Sequence, residues 1–157
     1  MNDPEKVLME RAGRILALRE HGREELRVKL GQPYKGAAPS AELVEATLDR
    51  LEALGLLSDA RYAALAAARL ARKGVSREGI RRELLARGVE REAVEAALPS
   101  EDDDAERLAA QLTQPAYTRK LADEKGRRAV FQAMLRKGYA AETIRRALRM
   151  IDGGEST

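Results

Sequence analysis

Cysteine and tryptophan are absent from this chain, and phenylalanine occurs once, at Phe131. Without cysteine there is no disulfide framework, no thiolate nucleophile and no cysteine zinc site, a composition that fits a reducing cytosol. Aromatics make up only 3% of the residues, so apolar burial has to come from Leu, Ala, Val and Ile. That mixture favours helices. The one histidine, His21, has no second histidine to complete a common metal site and no identifiable partner for proton transfer, so its expected role is local packing or solvation. No apolar run approaches the roughly 18 residues needed to span a membrane. The start, Met1-Asn2-Asp3-Pro4-Glu5-Lys6, is polar and acidic and carries no secretory signal. Neither the Walker phosphate loop nor Gly-x-Gly-x-x-Gly occurs, although such loops need closely spaced glycines to surround an anion. The expectation is a soluble, cytoplasmic helical protein with no catalytic residues, no cofactor and no metal.

What the sequence does contain is helical periodicity with repeated punctuation. Apolar residues recur at helical spacing in Val7, Leu8, Ile15, Leu16 and Leu18, and again in Leu43, Val44, Leu48, Leu51 and Leu54. No stretch alternates like a half-buried strand. Gly55, Gly74, Gly88 and Gly138 each precede an apolar residue, placing a helix end before a new start. With Ser58 and Ser76 as N-caps, Leu57 and Tyr62, then Val75 and Ile80, stand in the spacing of a hydrophobic staple. Val89 with Val94 and Tyr139 with Ile144 share the offset.

These junctions expose an internal repeat. Arg72-Lys73-Gly74-Val75-Ser76 through Ile80-Arg81-Arg82-Glu83-Leu84 aligns with Arg136-Lys137-Gly138-Tyr139-Ala140 through Ile144-Arg145-Arg146-Ala147-Leu148, nine of thirteen positions being identical or little changed. A fainter copy runs from Arg19 to Leu30, with His21 where Val75 stands. The reading is all-α: a tandem repeat of three three-helix modules, 5–55, 57–99 and 101–152, each with a short second helix carrying the Ile-Arg-Arg or Leu-Arg element. Modules of about 50 residues bury little core alone and pack in series. An elongated, curvable monomer is expected, followed by a disordered tail at 153–157. Gly31 to Pro39 reads as a loop whose Tyr34 is a candidate contact. The acidic run Ser100-Glu101-Asp102-Asp103-Asp104 suits a capped helix N-terminus better than an ion site.

Charge is the remaining signal. The chain carries 29 Lys and Arg against 26 Asp and Glu, but Arg69 to Arg91 has 8 basic and 3 acidic residues and Arg119 to Ile151 has 10 and 3. Such patches meet phosphate backbones or acidic protein surfaces, or are simply solvated helix faces. In each Arg-Arg pair, Arg81-Arg82 and Arg145-Arg146, one side chain can snorkel at the core edge while the other points outward. With so few aromatics, phosphate contact is a more plausible nucleic-acid mode than base stacking.

At Leu54-Gly55-Leu56-Leu57-Ser58-Asp59-Ala60-Arg61-Tyr62-Ala63, then Arg72-Lys73-Gly74-Val75-Ser76 and Ile80-Arg81-Arg82-Glu83-Leu84-Leu85-Ala86-Arg87-Gly88-Val89, the chain resembles the RecX family of recombination regulators. Weaker flanking copies extend the likeness over roughly residues 10 to 150. Gly22 stands where a capping Ser is frequent, Tyr62 where Phe is common, and the Gly31 to Pro39 loop is long. The resemblance implies tandem three-helix modules that bind the RecA recombinase filament, lie along its groove and inhibit its ATPase and strand exchange, thereby regulating homologous recombination, DNA repair and the SOS response without catalysis. Within the matched motifs the expected contact residues are Arg72, Lys73, Arg77, Arg81, Arg82, Arg136, Lys137, Arg145 and Arg146, with Arg61 and Arg69 behind them. The alternative is a helical DNA-binding protein that touches single- or double-stranded DNA through phosphates.

Overall fold

The helices begin and end by the same local chemistry again and again. In chain order they are α1 (Pro4–Leu18), α2 (Arg23–Gly31), α3 (Ala41–Ala53), α4 (Asp59–Arg72), α5 (Arg77–Ala86), α6 (Arg91–Ala97), α7 (Glu101–Leu112), α8 (Pro115–Lys120), α9 (Glu124–Arg136) and α10 (Ala141–Ile151). The computed structural model describes residues 3–153, without the side chain of Asp102, and these residues contain no strand. The fold is all-α. Of the tail expected to be disordered, residues 154–157 lie outside the described residues.

Gly55, Gly74, Gly88 and Gly138 sit at φ values of 73°, 82°, 77° and 97°, the left-handed region that a side chain disfavours. After each one, the next amide reaches back five residues: Leu56 to the Leu51 carbonyl, Val75 to Leu70, Val89 to Leu84 and Tyr139 to Met134. This is the Schellman closure of a helix C-terminus. At three junctions the residue that closes one helix also precedes the N-cap of the next. Val75, Val89 and Tyr139 thus clamp two helices with one side chain. Ser58 and Ser76 cap as their spacing predicts, their hydroxyls accepting from the amides of Arg61 (3.2 Å) and Gly79 (3.0 Å). Ser100 accepts from the Asp103 amide at 3.3 Å, so the acidic run does open a helix.

The chain forms two compact units, Met1–Ala66 with Leu84–Ala97 and Ala67–Glu83 with Leu98–Thr157. The core of the first joins Leu8 and Ala12 of α1, Leu26 and Leu30 of α2, and Val44, Leu48 and Leu51 of α3, with Leu57. That of the second joins Leu108 and Leu112 of α7, Val130 and Met134 of α9, Ile144 and Ala147 of α10, and Tyr139.

The stretch 101–152 departs from a three-helix pattern. It holds four helices, and Ile144-Arg145-Arg146 lies on the last of them. Pro115 explains the extra break: lacking an amide hydrogen, it cannot continue α7 but is well placed at the first position of α8. The Asp123 carboxylate then caps α9 through the Gly126 amide at 2.7 Å. A side chain at Gly126 would place its Cβ 1.7 Å from the Lys120 carbonyl oxygen, so the turn from α8 into α9 closes only around a glycine.

Candidate interaction surface

All nine basic residues singled out from the sequence fall in the second unit. Arg72 and Lys73 end α4; Arg77, Arg81 and Arg82 lie on α5; Arg136 and Lys137 end α9; Arg145 and Arg146 lie on α10. The fold brings the two Lys-Gly turns together. The buried Tyr139 hydroxyl donates to the Gly74 carbonyl at 2.7 Å, and the Ser76 hydroxyl donates to the Lys137 carbonyl at 3.4 Å. Burial pushes the Tyr139 phenol up to about 12, so it stays a donor at neutral pH. A Cβ at Gly138 would lie 2.6 Å from Arg82 Nη2 and 2.8 Å from Ser76 Oγ, so the Arg82 side chain crosses that glycine.

The nine do not share one role. Arg77 is used internally: its amide donates to Asp104 at 3.1 and 3.2 Å, its Nε donates to the Pro99 carbonyl at 2.9 Å, and its guanidinium lies 3.6 Å from Glu101. Arg81 is half-buried and bonded to Glu78, whereas Arg82 beside it is exposed. Arg145 and Arg146 are both exposed, but Arg145 pairs with Glu142 at 3.5 Å and covers the Phe131 ring at 5.8 Å. The Arg149 guanidinium, bonded to Glu142 at 3.0 Å, holds that carboxyl below its usual range, with Arg145 adding to the effect. By contrast, Arg72, Lys73, Arg82 and Arg136 are exposed and, among the described residues, have no carboxylate partner, nor has the half-buried Lys137.

Two clefts extend this surface to residues that sequence reasoning passed over. Arg72 lines a cleft of about 380 Å³ with Arg107, Gln111 and Gln114. Arg107 gives one nitrogen to Asp104, while its buried Nε and Nη1 have no hydrogen-bond partner among the described residues. Arg136 lines another, of about 490 Å³, with Lys120, Lys125 and Tyr117. The net charge of the surrounding patch was the only sequence signal for these lysines, and Arg107 sits inside an acidic run that hid it.

Four arginines of the first unit lie in ion pairs. Arg23 pairs with Glu45 (2.8 Å), Asp49 (2.8 Å) and Glu52 (2.9 Å), Arg19 with Glu25 (2.7 Å), Arg61 with Glu20 (2.9 Å), and Arg27 with Glu45 and Glu24. Arg27 and Arg23 together hold the exposed Glu45 carboxyl down to about 2. The first unit carries 12 Lys and Arg against 14 Asp and Glu, the second 17 against 12. The net positive charge of the chain is therefore carried by the second unit.

Residues 58–98 match the family model for the RecX second three-helix domain. The regulatory protein RecX of Leptothrix cholodnii is 36% identical over 152 residues, covering 96% of this chain and 93% of the relative. The chain belongs to the RecX family. The regulatory protein RecX of Ectopseudomonas mendocina is 39% identical over 139 residues, covering 88% of this chain and 90% of the relative. The crystal structure of RecX from Lactobacillus salivarius superposes with a TM-score of 0.77 over 94% of this chain and 96% of that one, at 17% identity, and shares the helical repeat fold. Both relatives are named regulatory proteins. Among the described residues no helix is long and apolar enough to cross a membrane, and no group of three His, Asp or Glu side chains is placed to hold a metal ion.

Proposed function

We propose that this RecX family member binds the RecA recombinase filament in the cytoplasm and inhibits its ATP hydrolysis and strand exchange, with no cofactor and no catalysis of its own. Family membership supplies the partner. The observation that carries the mechanism is the balance of charge: the second unit holds 17 Lys and Arg against 12 Asp and Glu and presents Arg72, Lys73, Arg82 and Arg136 exposed with no carboxylate partner among the described residues, while the first unit holds 12 against 14. An exposed cation without a partner has no ion pair to break when it meets an acidic surface, and several act together through high effective concentration. We read 5–55, 57–99 and 101–152 as successive contact modules that bridge filament subunits and obstruct the movements coupled to ATP turnover.

The same free cations also support direct phosphate contact with DNA, the second reading. Titrating the protein into a RecA–single-stranded DNA reaction, with ATPase rate and filament length read together, separates the two. Inhibition that saturates with the filament and is absent for a DNA-independent ATPase is expected. Unchanged recombinase kinetics alongside tight, steeply salt-dependent binding to naked DNA would transfer the assignment to the second reading.

A further inference from the structure

A third cation-rich cleft lies in the first unit, apart from the nine basic residues singled out in the second. About 430 Å³ in volume, it is floored by Ile15 and Leu18 of α1 and rimmed by Arg11, Arg14, Lys29 and Tyr34, with no carboxylate lining it. Leu18 is 85% exposed and joins Ile15 to give the cleft an aliphatic floor. Tyr34 is fixed rather than free. The Arg11 guanidinium stands 4.7 Å and the Lys35 ammonium 5.4 Å from its ring centroid, and Arg14 donates to its hydroxyl at 3.3 Å. Arg11 is itself anchored by donating to the carbonyls of Lys29 (2.8 Å) and Gln32 (3.2 Å) at the end of α2. Among the described residues none of Arg11, Arg14, Lys29 and Lys35 has a carboxylate partner, in a unit whose other helix-borne arginines are mostly paired.

We propose that this cleft docks an extended acidic peptide segment of a partner protein, with a Leu or Phe side chain on the Ile15–Leu18 floor and flanking carboxylates against Arg14, Lys29 and Lys35. Charge complementarity selects an anionic ligand and the aliphatic floor an apolar anchor. A nucleic acid fits less well, because the cations over the Tyr34 ring occupy the face a base would need. The site lies in the first unit and does not depend on the second unit's role.

The test uses fluorescence anisotropy with the full chain and a labelled octapeptide, Asp-Glu-Asp-Leu-Phe-Glu-Asp-Glu, against three comparators: the same peptide with Ser for Leu and Phe, a Lys-substituted version, and a labelled 15-mer of oligothymidylate. The acidic apolar peptide should bind, the Ser peptide at least about tenfold more weakly, and Leu18→Ser should cost at least about tenfold, the worth of a buried leucine side chain. Arg14→Glu should weaken binding by a similar factor, with Arg14→Gln intermediate and all variants matched to wild type in circular dichroism and Tm. Equal binding of the Ser peptide, wild-type affinity in both Leu18→Ser and Arg14→Glu, or oligothymidylate binding that is lost in these variants would each overturn the proposal.

Discussion

His21 shows how one side chain can stand in for the apolar clamp used at the later junctions. It is 1% exposed, in the place held by Val75 and Tyr139 further along, and both ring nitrogens are used. Lys29 donates its ammonium proton to Nε2 at 2.7 Å, and Nδ1 donates to the Arg19 carbonyl at 3.0 Å, an arrangement only neutral imidazole can make. Burial lowers its pKa, and the cations of Arg19 and Lys29 act in the same direction. The unfolded chain therefore takes up a proton near the usual value of about 6.5 while the folded protein resists until a lower pH. Stability from this residue is fully present above about pH 6.5 and falls as pH drops through the folded value. Melting temperature should decline over that window, and His21→Val should flatten the decline; an identical slope in the variant would assign it to other groups. The sequence reading left packing and solvation both open for His21, because nothing in the local pattern shows Lys29, nearly two turns into the next helix, supplying the proton.

At the scale of elements, a carboxylate on one helix caps the start of another. Asp59, at the first position of α4, accepts from the Arg23 amide at 2.7 Å and the Glu90 amide at 3.0 Å, thereby capping α2 and α6 at once. The N-cap of α2 is Gly22, which has no side-chain oxygen to offer, so the cap comes from 36 residues away. Asp104 of α7 does the same for the Arg77 amide of α5. Each cap is worth about 1–2 kcal/mol, so Asp59→Ala should destabilise the protein by about 2–3 kcal/mol and Asp59→Asn by less. Urea denaturation checks this, and a loss under about 0.5 kcal/mol in the alanine variant would rule out the double cap. The glycine junctions and the Ser58, Ser76 and Ser100 caps were readable beforehand, since their partners lie within five residues. Asp59 was visible only as part of a motif. Its acceptor role depends on helices that tertiary packing brings together.

For the whole molecule, the local basic patches foretold a charged surface but not the division of labour within it. Ion pairing is a property of packed neighbours, so sequence could not show that Arg77 is spent on Pro99, Asp104 and Glu101 while Arg72 and Arg136 stay free. The central claim is that the free cations of the second unit restrain the RecA filament. Two triple variants test it directly by changing the net charge equally: Arg72→Glu with Lys73→Glu and Arg136→Glu in the second unit, and Lys6→Glu with Arg50→Glu and Arg91→Glu, all exposed, in the first. With folding matched by circular dichroism and Tm, the second-unit triple should raise the concentration for half-inhibition of RecA ATPase by at least about tenfold, roughly 1.4 kcal/mol of lost binding, and the first-unit triple by no more than about twofold. Equal loss in both would reduce the effect to net charge, and wild-type inhibition by the second-unit triple would contradict the account.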